Sequence, residues 1–241
     1  MSGLVAIDDI AEIMFLPESL VPRNQTVENP PVTGHPNSTT DTERSVVALL
    51  RELGAEDPER LVAQLREDHA RAETPYHSWR HTLHGLSILF EYRDSIPDFD
   101  AALIAWLNHD RIYDAQRTDN EDLSADLARQ MCLDLGQEAL ADLTVELVLD
   151  TKHDCEPRTQ TGKWIVGVDL AILGETRERY DQYETNIRRE YAHVGDLMYR
   201  LGRGKVLRGF LKRDRIYDVP ELNARYEANA RDNLNRALNA L

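Results

Sequence analysis

The chain has 241 residues, with 41% hydrophobic and 29% charged side chains, enough for one large domain with a real core. Its formal net charge of -15 argues against sequence-independent binding to DNA or RNA polymers, which needs a basic surface. Two cysteines, Cys132 and Cys155, are too few for a disulfide scaffold, and a reducing compartment is the simpler expectation. No run approaches the ~18 apolar residues of a membrane span. The start of the chain carries Asp8, Asp9, Glu12 and Glu18 in place of a basic leader. A cytoplasmic protein without membrane contact is expected.

In chain order, Met1 to Phe15 offers a short appended helix. Pro17 to Asp41 then gathers five prolines (Pro17, Pro22, Pro30, Pro31, Pro36) among Asn, Ser, Thr and Gly. That composition predicts a flexible Pro-rich extension over 1–41, followed by a single domain over 42–241. From Thr42 the apolar spacing is helical almost throughout. Val46, Leu49, Leu50 and Leu53 share one face, closed by Gly54, and Asp57-Pro58-Glu59 supplies a cap, an N1 proline and an acidic first turn. A helix from about Ser78 carries Leu83, Ile88, Leu89 and Phe90, and Pro97 separates it from the apolar run Phe99 to His109.

Further helical patterns cover Leu123–Leu135, Glu138–Lys152, Glu175–Leu201, Lys205–Lys212 and Glu221–Leu238. Trp164 to Val168 is β-branched, but a lone strand has no partner, so it reads as the entry to a short helix. The fold class expected is all-α.

The chemistry-bearing residues fall in one ordered set. His109-Asp110 ends the apolar run, awkward for a core and natural for a divalent metal, which imidazole and carboxylate suit. His77 and His81 are four apart, and His81 and His84 three apart, so on a helix each pair shares a face. Asp169 sits within Val168-Asp169-Leu170-Ala171-Ile172, where an unpaired carboxylate is costly. A metal relieves that cost, and so does a role as N-cap of the following residues. Taken singly, each histidine is more often structural than a ligand. His35, His69 and His193 receive no role.

Taken together, His81, His109-Asp110 and Asp169 on a helical background resemble the HD superfamily of metal-dependent phosphohydrolases. The likeness is closest to the bacterial predicted HD-superfamily phosphohydrolases. It extends through Tyr76-His77, Arg111 to Asp114, Asn120-Glu121, Ser124-Ala125, Thr151 to His153 and Leu173-Gly174. In the tail it includes Tyr180, Tyr183, Arg188 to Tyr191, Gly202-Arg203, Val206-Leu207 and Glu227 to Leu234. Roughly Thr42 to Leu241 is covered.

The resemblance implies an HD-domain-like helical bundle and one divalent metal (Mn, Co, Ni, Fe, Zn or Mg) on His81, His109, Asp110 and Asp169. It implies hydrolysis of a phosphate ester or anhydride in a small phosphorylated substrate, a nucleotide by family tendency, with water activated on the metal. His77 falls where related enzymes place a histidine beside the leaving group. Glu121 would orient the attacking water, or else cap the helix through Leu123. Lys152 and His153 would reach a substrate phosphate, or else complement a helix dipole.

Between Arg200 and Arg215 stand seven basic residues against one acidic. Such a run is most often a solvated helical face. Alternatively Arg203 or Lys205, beside Gly202 and Gly204, presents a cation and backbone N–H groups to phosphate. Two other classes remain open. One is a non-catalytic sensor that binds metal and nucleotide. The other is an HD-type di-iron oxygenase, disfavoured because only His153 lies between Asp110 and Asp169. The sequence leaves the oligomeric state undetermined.

Overall fold

The apolar run beginning at Phe99 becomes the central helix of the molecule. The computed structural model describes residues 39–71 and 74–241. The expected N-terminal helix and nearly all of the Pro-rich extension lie outside those residues. Ten α-helices and no strands occur among the described residues, as the periodicity predicts. They are α1 (Thr39–Glu52), α2 (Pro58–Asp68), α3 (Trp79–Glu91), α4 (Phe99–Asn108) and α5 (Asn120–Asp134). Then come α6 (Ala141–Asp150), α7 (Gln160–Asp169), α8 (Arg177–Glu190), α9 (Asp196–Lys212) and α10 (Pro220–Ala240). The first helix starts at Thr39, three residues before the boundary expected. None of the described helices is long and apolar enough to cross a membrane.

Every residue of α4 except Asp100 is buried, because α3, α5, α6 and α7 all pack against it. A helix apolar all round has only the core to occupy. On the α3 side the approach is close: a Cβ at Gly85 would meet the Trp106 ring at 2.0 Å, so only glycine lets the two helices meet. Trp106 is fully buried and donates through Nε1 to the Thr82 carbonyl at 2.8 Å. Its indole stacks on the His109 imidazole at 4.1 Å.

Asp57 caps α2 as expected, accepting from Arg60 N, with Pro58 at the first helical position. Trp164 to Val168 lies inside α7, whose N-cap is Thr159. Asp169 ends α7 and precedes the 3₁₀ turn Leu170–Gly174 without a side-chain capping bond, so the N-cap alternative does not hold. The 3₁₀ turn packs on α10 so tightly that a Cβ at Gly174 would lie 2.5 Å from Tyr226.

Two helix boundaries depart from expectation. The Glu175–Leu201 pattern is broken at Tyr191–Gly195, where α8 ends and α9 begins. Conversely, Gly202 and Gly204 lie inside α9. Their backbone N–H groups belong to the interior of a helix, so the expected anion-binding turn at Gly202–Gly204 is not formed.

Candidate metal centre and its polar wall

The centre is assembled at the C-terminal end of α4. His109 is the C-cap of that helix, and the chain turns there because two arginines strap it. Arg71 donates to the Asp110 and Arg111 carbonyls. Arg111 donates from Nε to Asp68 at 2.6 Å and from Nη1 to the Asn108 side chain at 3.2 Å. The following loop is clamped by the first turns of α5. Asn120 accepts from Asp114 N and donates to Asp114 O, while Ser124 accepts from Ile112 N and donates to Ile112 O.

Within this frame His81, from the first turn of α3, faces His109. Their Nε2 atoms are 3.1 Å apart. Asp110 Oδ2 lies 3.0 Å from His109 Nε2 and 3.4 Å from His81 Nε2. His81, His109 and Asp110 are all buried, and their donor atoms lie within 4.8 Å of one another. Asp169 approaches from α7, with Oδ1 3.3 Å from His81 Nε2 and 3.9 Å from His109 Nε2.

The donor set fits a metal ion. Neighbouring ligands of a six-coordinate ion bound at about 2.1 Å stand about 3 Å apart, as these three do. His109 Nδ1 donates to the Trp106 carbonyl at 2.8 Å, which leaves Nε2 with the lone pair in the neutral ring, the usual outer support of a metal-binding imidazole. Asp110 Oδ2 is buried with no hydrogen bond, despite its close neighbours. A buried carboxylate oxygen in that position is costly unless a cation meets it. His81, His109 and Asp110 could therefore hold a metal ion.

Charge follows the same logic. Burial pushes the His109 pKa down, but Asp110 and Asp169 outweigh it and raise it to about 9. Burial works to raise both carboxyls, yet the surrounding imidazoles hold them low: His109 and His77 act on Asp110, and His153 and His81 on Asp169. The cluster is a site of paired imidazoles and carboxylates that could hold a cation.

The other expected residues divide. His77 precedes α3, whose N-cap is Ser78, so it does not share a helix face with His81, although the rings are 6.0 Å apart. Its Nδ1 lies 2.7 Å from Glu190 Oε2, and its ring stacks on Tyr113 at 3.8 Å. Glu121 sits in the first turn of α5, where Asp119 is the N-cap. Burial and then Asp110 raise its pKa, against the pull of Lys152 and His153, so these four groups share one neighbourhood.

Lys152 bonds Asp122 at 2.7 Å. His153 Nε2 meets Asp169 Oδ2 at 2.8 Å from a left-handed backbone, φ 57°. His153 therefore supports the Asp169 carboxylate directly.

Arg203 and Lys205 are not brought together. Two residues apart on a helix they point to different sides. Arg203 is buried, with its guanidinium on Glu184 at 2.6 Å and on the Tyr183 hydroxyl at 3.0 Å, whereas Lys205 is exposed. Arg203 thus neutralises a carboxylate of its own protein, a correction to the phosphate-binding expectation. Arg200, Lys205, Arg208, Lys212 and Arg215 are exposed, which makes most of the basic run a solvated face. His84 pairs with Glu175 at 2.9 Å.

Glu190 lies within the Arg188 to Tyr191 stretch of the resemblance, but sequence reasoning gave it no role. It is buried and accepts from Tyr76 N at 2.7 Å and His77 N at 3.0 Å, besides its contact with the His77 ring. Its partners are 113 and 114 residues away, so no local spacing could reveal it. His69, given no role from the sequence, is also buried. It donates from Nδ1 to Leu65 O at 2.7 Å.

The chain matches no protein-family model, no curated protein and no solved structure.

Proposed function

We propose that the protein is a hydrolase of phosphate esters or anhydrides in small molecules, nucleotides among them, with one divalent metal on His81, His109, Asp110 and Asp169. The observation that carries this reading is the buried group of His81, His109 and Asp110, whose donor atoms lie within 4.8 Å of one another, with Asp169 3.3 Å from His81 and a buried oxygen of Asp110 left without a hydrogen bond. A bound divalent ion supplies a Lewis acid for the phosphate oxygens and acidifies water.

The chain's own residues then handle the protons. Glu121, its pKa raised by burial, takes a proton from the attacking water as a general base. His77, whose ring lies 6.0 Å from that of His81, gives one to the leaving oxygen. Glu190 is the largest reason its pKa is raised against burial, which keeps the imidazolium populated for that purpose. Lys152, paired with Asp122, is a cation near Glu121 that meets an anionic substrate, and His153 acts through the Asp169 carboxylate it contacts.

Release of phosphate and nucleoside products from a nucleotide panel, with Mn²⁺, Co²⁺, Ni²⁺ or Mg²⁺, tests this. The expected result is turnover that requires metal and disappears in His109→Ala/Asp110→Ala. Metal and nucleotide both bound, with no turnover on any member of the panel, would replace the hydrolase by a sensor.

A further inference from the structure

Glu190 is the last residue of α8, and its carboxylate is the most enclosed acidic side chain beside the candidate centre, with no side-chain surface exposed. Three donors converge on it. Oε1 accepts the backbone N–H groups of Tyr76 and His77, and Oε2 faces His77 Nδ1 at 2.7 Å. An ionised carboxylate only accepts, so Nδ1 must carry the proton of this contact. The ring is held on its other sides as well. Tyr113 stacks on it at 3.8 Å, and Tyr76 meets it edge-on at 4.8 Å. Nε2, on the far edge of the ring, is left as the nitrogen open to a substrate, and the side chain keeps 18% of its surface exposed.

We infer that Glu190 is a positioning residue: it fixes the tautomer and orientation of His77 so that Nε2 is the nitrogen that exchanges a proton with the substrate. The catalytic half of this inference rests on the reading of His77 as the general acid; the tautomer does not. Tying down the segment before α3 would explain the two backbone bonds but would not need a ring nitrogen on the second oxygen.

Glu190→Gln separates these roles. The Gln oxygen can still accept both backbone N–H groups, which places its NH₂ against Nδ1. The amide then donates, so the ring must switch to Nδ1 lone pair and Nε2–H. The opposite amide orientation would set the NH₂ against two backbone donors, a worse arrangement.

The test is ¹⁵N NMR of histidine-labelled full-length protein, with and without Zn²⁺, the His77 ring being identified by its loss in His77→Gln. Native protein should show a protonated, pyrrole-type Nδ1 in a strong hydrogen bond. In Glu190→Gln, Nδ1 should become pyridine-type. In parallel, Mn²⁺-dependent hydrolysis of AMP, whose alkoxide leaving group needs a proton, should lose on the order of 10²-fold in kcat, with KM within about threefold, as expected when a proton donor is disabled and binding is kept.

A native Nδ1 without a proton overturns the inference and needs no variant to fold. An unchanged tautomer in a folded Glu190→Gln overturns it too. Absence of any native turnover would count against the hydrolase reading alone, because the NMR result stands independently.

Discussion

Two polar regions adjoin in this molecule and are built on opposite principles. At the end of α4, His81, His109, Asp110 and Asp169 bring acceptor atoms together with too few protons to share. A few residues away, Glu190 and the Arg203–Glu184–Tyr183 group match donors to acceptors nearly one for one. Both are buried and both carry charge. The difference teaches which one expects a guest. A satisfied network rigidifies what it touches, whereas a crowd of acceptors stays costly until a cation arrives.

That contrast can be tested by removing one member from each region. Arg203→Met keeps the apolar stem but leaves the half-buried Glu184 carboxylate with the Tyr180 hydroxyl alone. Breaking a buried pair in this way should cost roughly 3 kcal/mol or more of unfolding free energy. A loss under about 1 kcal/mol in urea denaturation would show that the network is not tightly matched.

The next effect in size is a pH dependence just outside the centre. Burial, the largest cause, lowers the His69 pKa from 6.5 to about 4. The unfolded chain therefore binds the proton first as pH falls. The stability His69 contributes is complete above pH 6.5 and is lost as pH drops toward 4, about 3 kcal/mol in all at 1.36 kcal/mol per unit. His69→Gln should flatten that part of the acid limb, so native protein and variant should converge or cross between pH 6.5 and 4. Parallel curves over that window would mean that His69 is not held neutral.

The smallest stability effect should fall on the acceptor crowd itself. In metal-free protein Asp110→Asn removes a carboxylate whose partner, His109, can shed its proton in response. No buried charge is left uncompensated, so the cost should stay below that of Arg203→Met. The same substitution should abolish tight metal binding. A large loss of metal-free stability would place Asp110 with the satisfied network.

How much of this could be read from the sequence follows from the range of the interactions. The α4 run, the Asp57-Pro58 start of α2 and the His109-Asp110 pair are local signals of period, capping and composition, and they appear where expected. The break at Tyr191–Gly195 has little local signal, because Tyr191-Ala192-His193-Val194 contains no proline and only Gly195 marks a stop. Gly202-Arg203-Gly204 misled in the opposite direction. Glycines that suggest a turn are tolerated inside α9, where Arg203 reaches across to α8.

Glu190 and His69 were illegible for a different reason. Each has a charged sequence neighbourhood, and what buries it comes from packing that no residue spacing encodes. The cluster itself was the easier case, since His81, His109-Asp110 and Asp169 are informative as an ordered set even though each histidine taken singly is more often structural.

The most direct test is a Mn²⁺ titration of the metal-free, full-length protein by calorimetry, with metal content checked by mass spectrometry, beside His109→Ala/Asp110→Ala. One Mn²⁺ per chain in the native protein, lost in the double variant while its helical circular dichroism is kept, is the result predicted. Native protein that binds no divalent ion, or a double variant that binds as well as native, would contradict the metal centre and the hydrolase built on it.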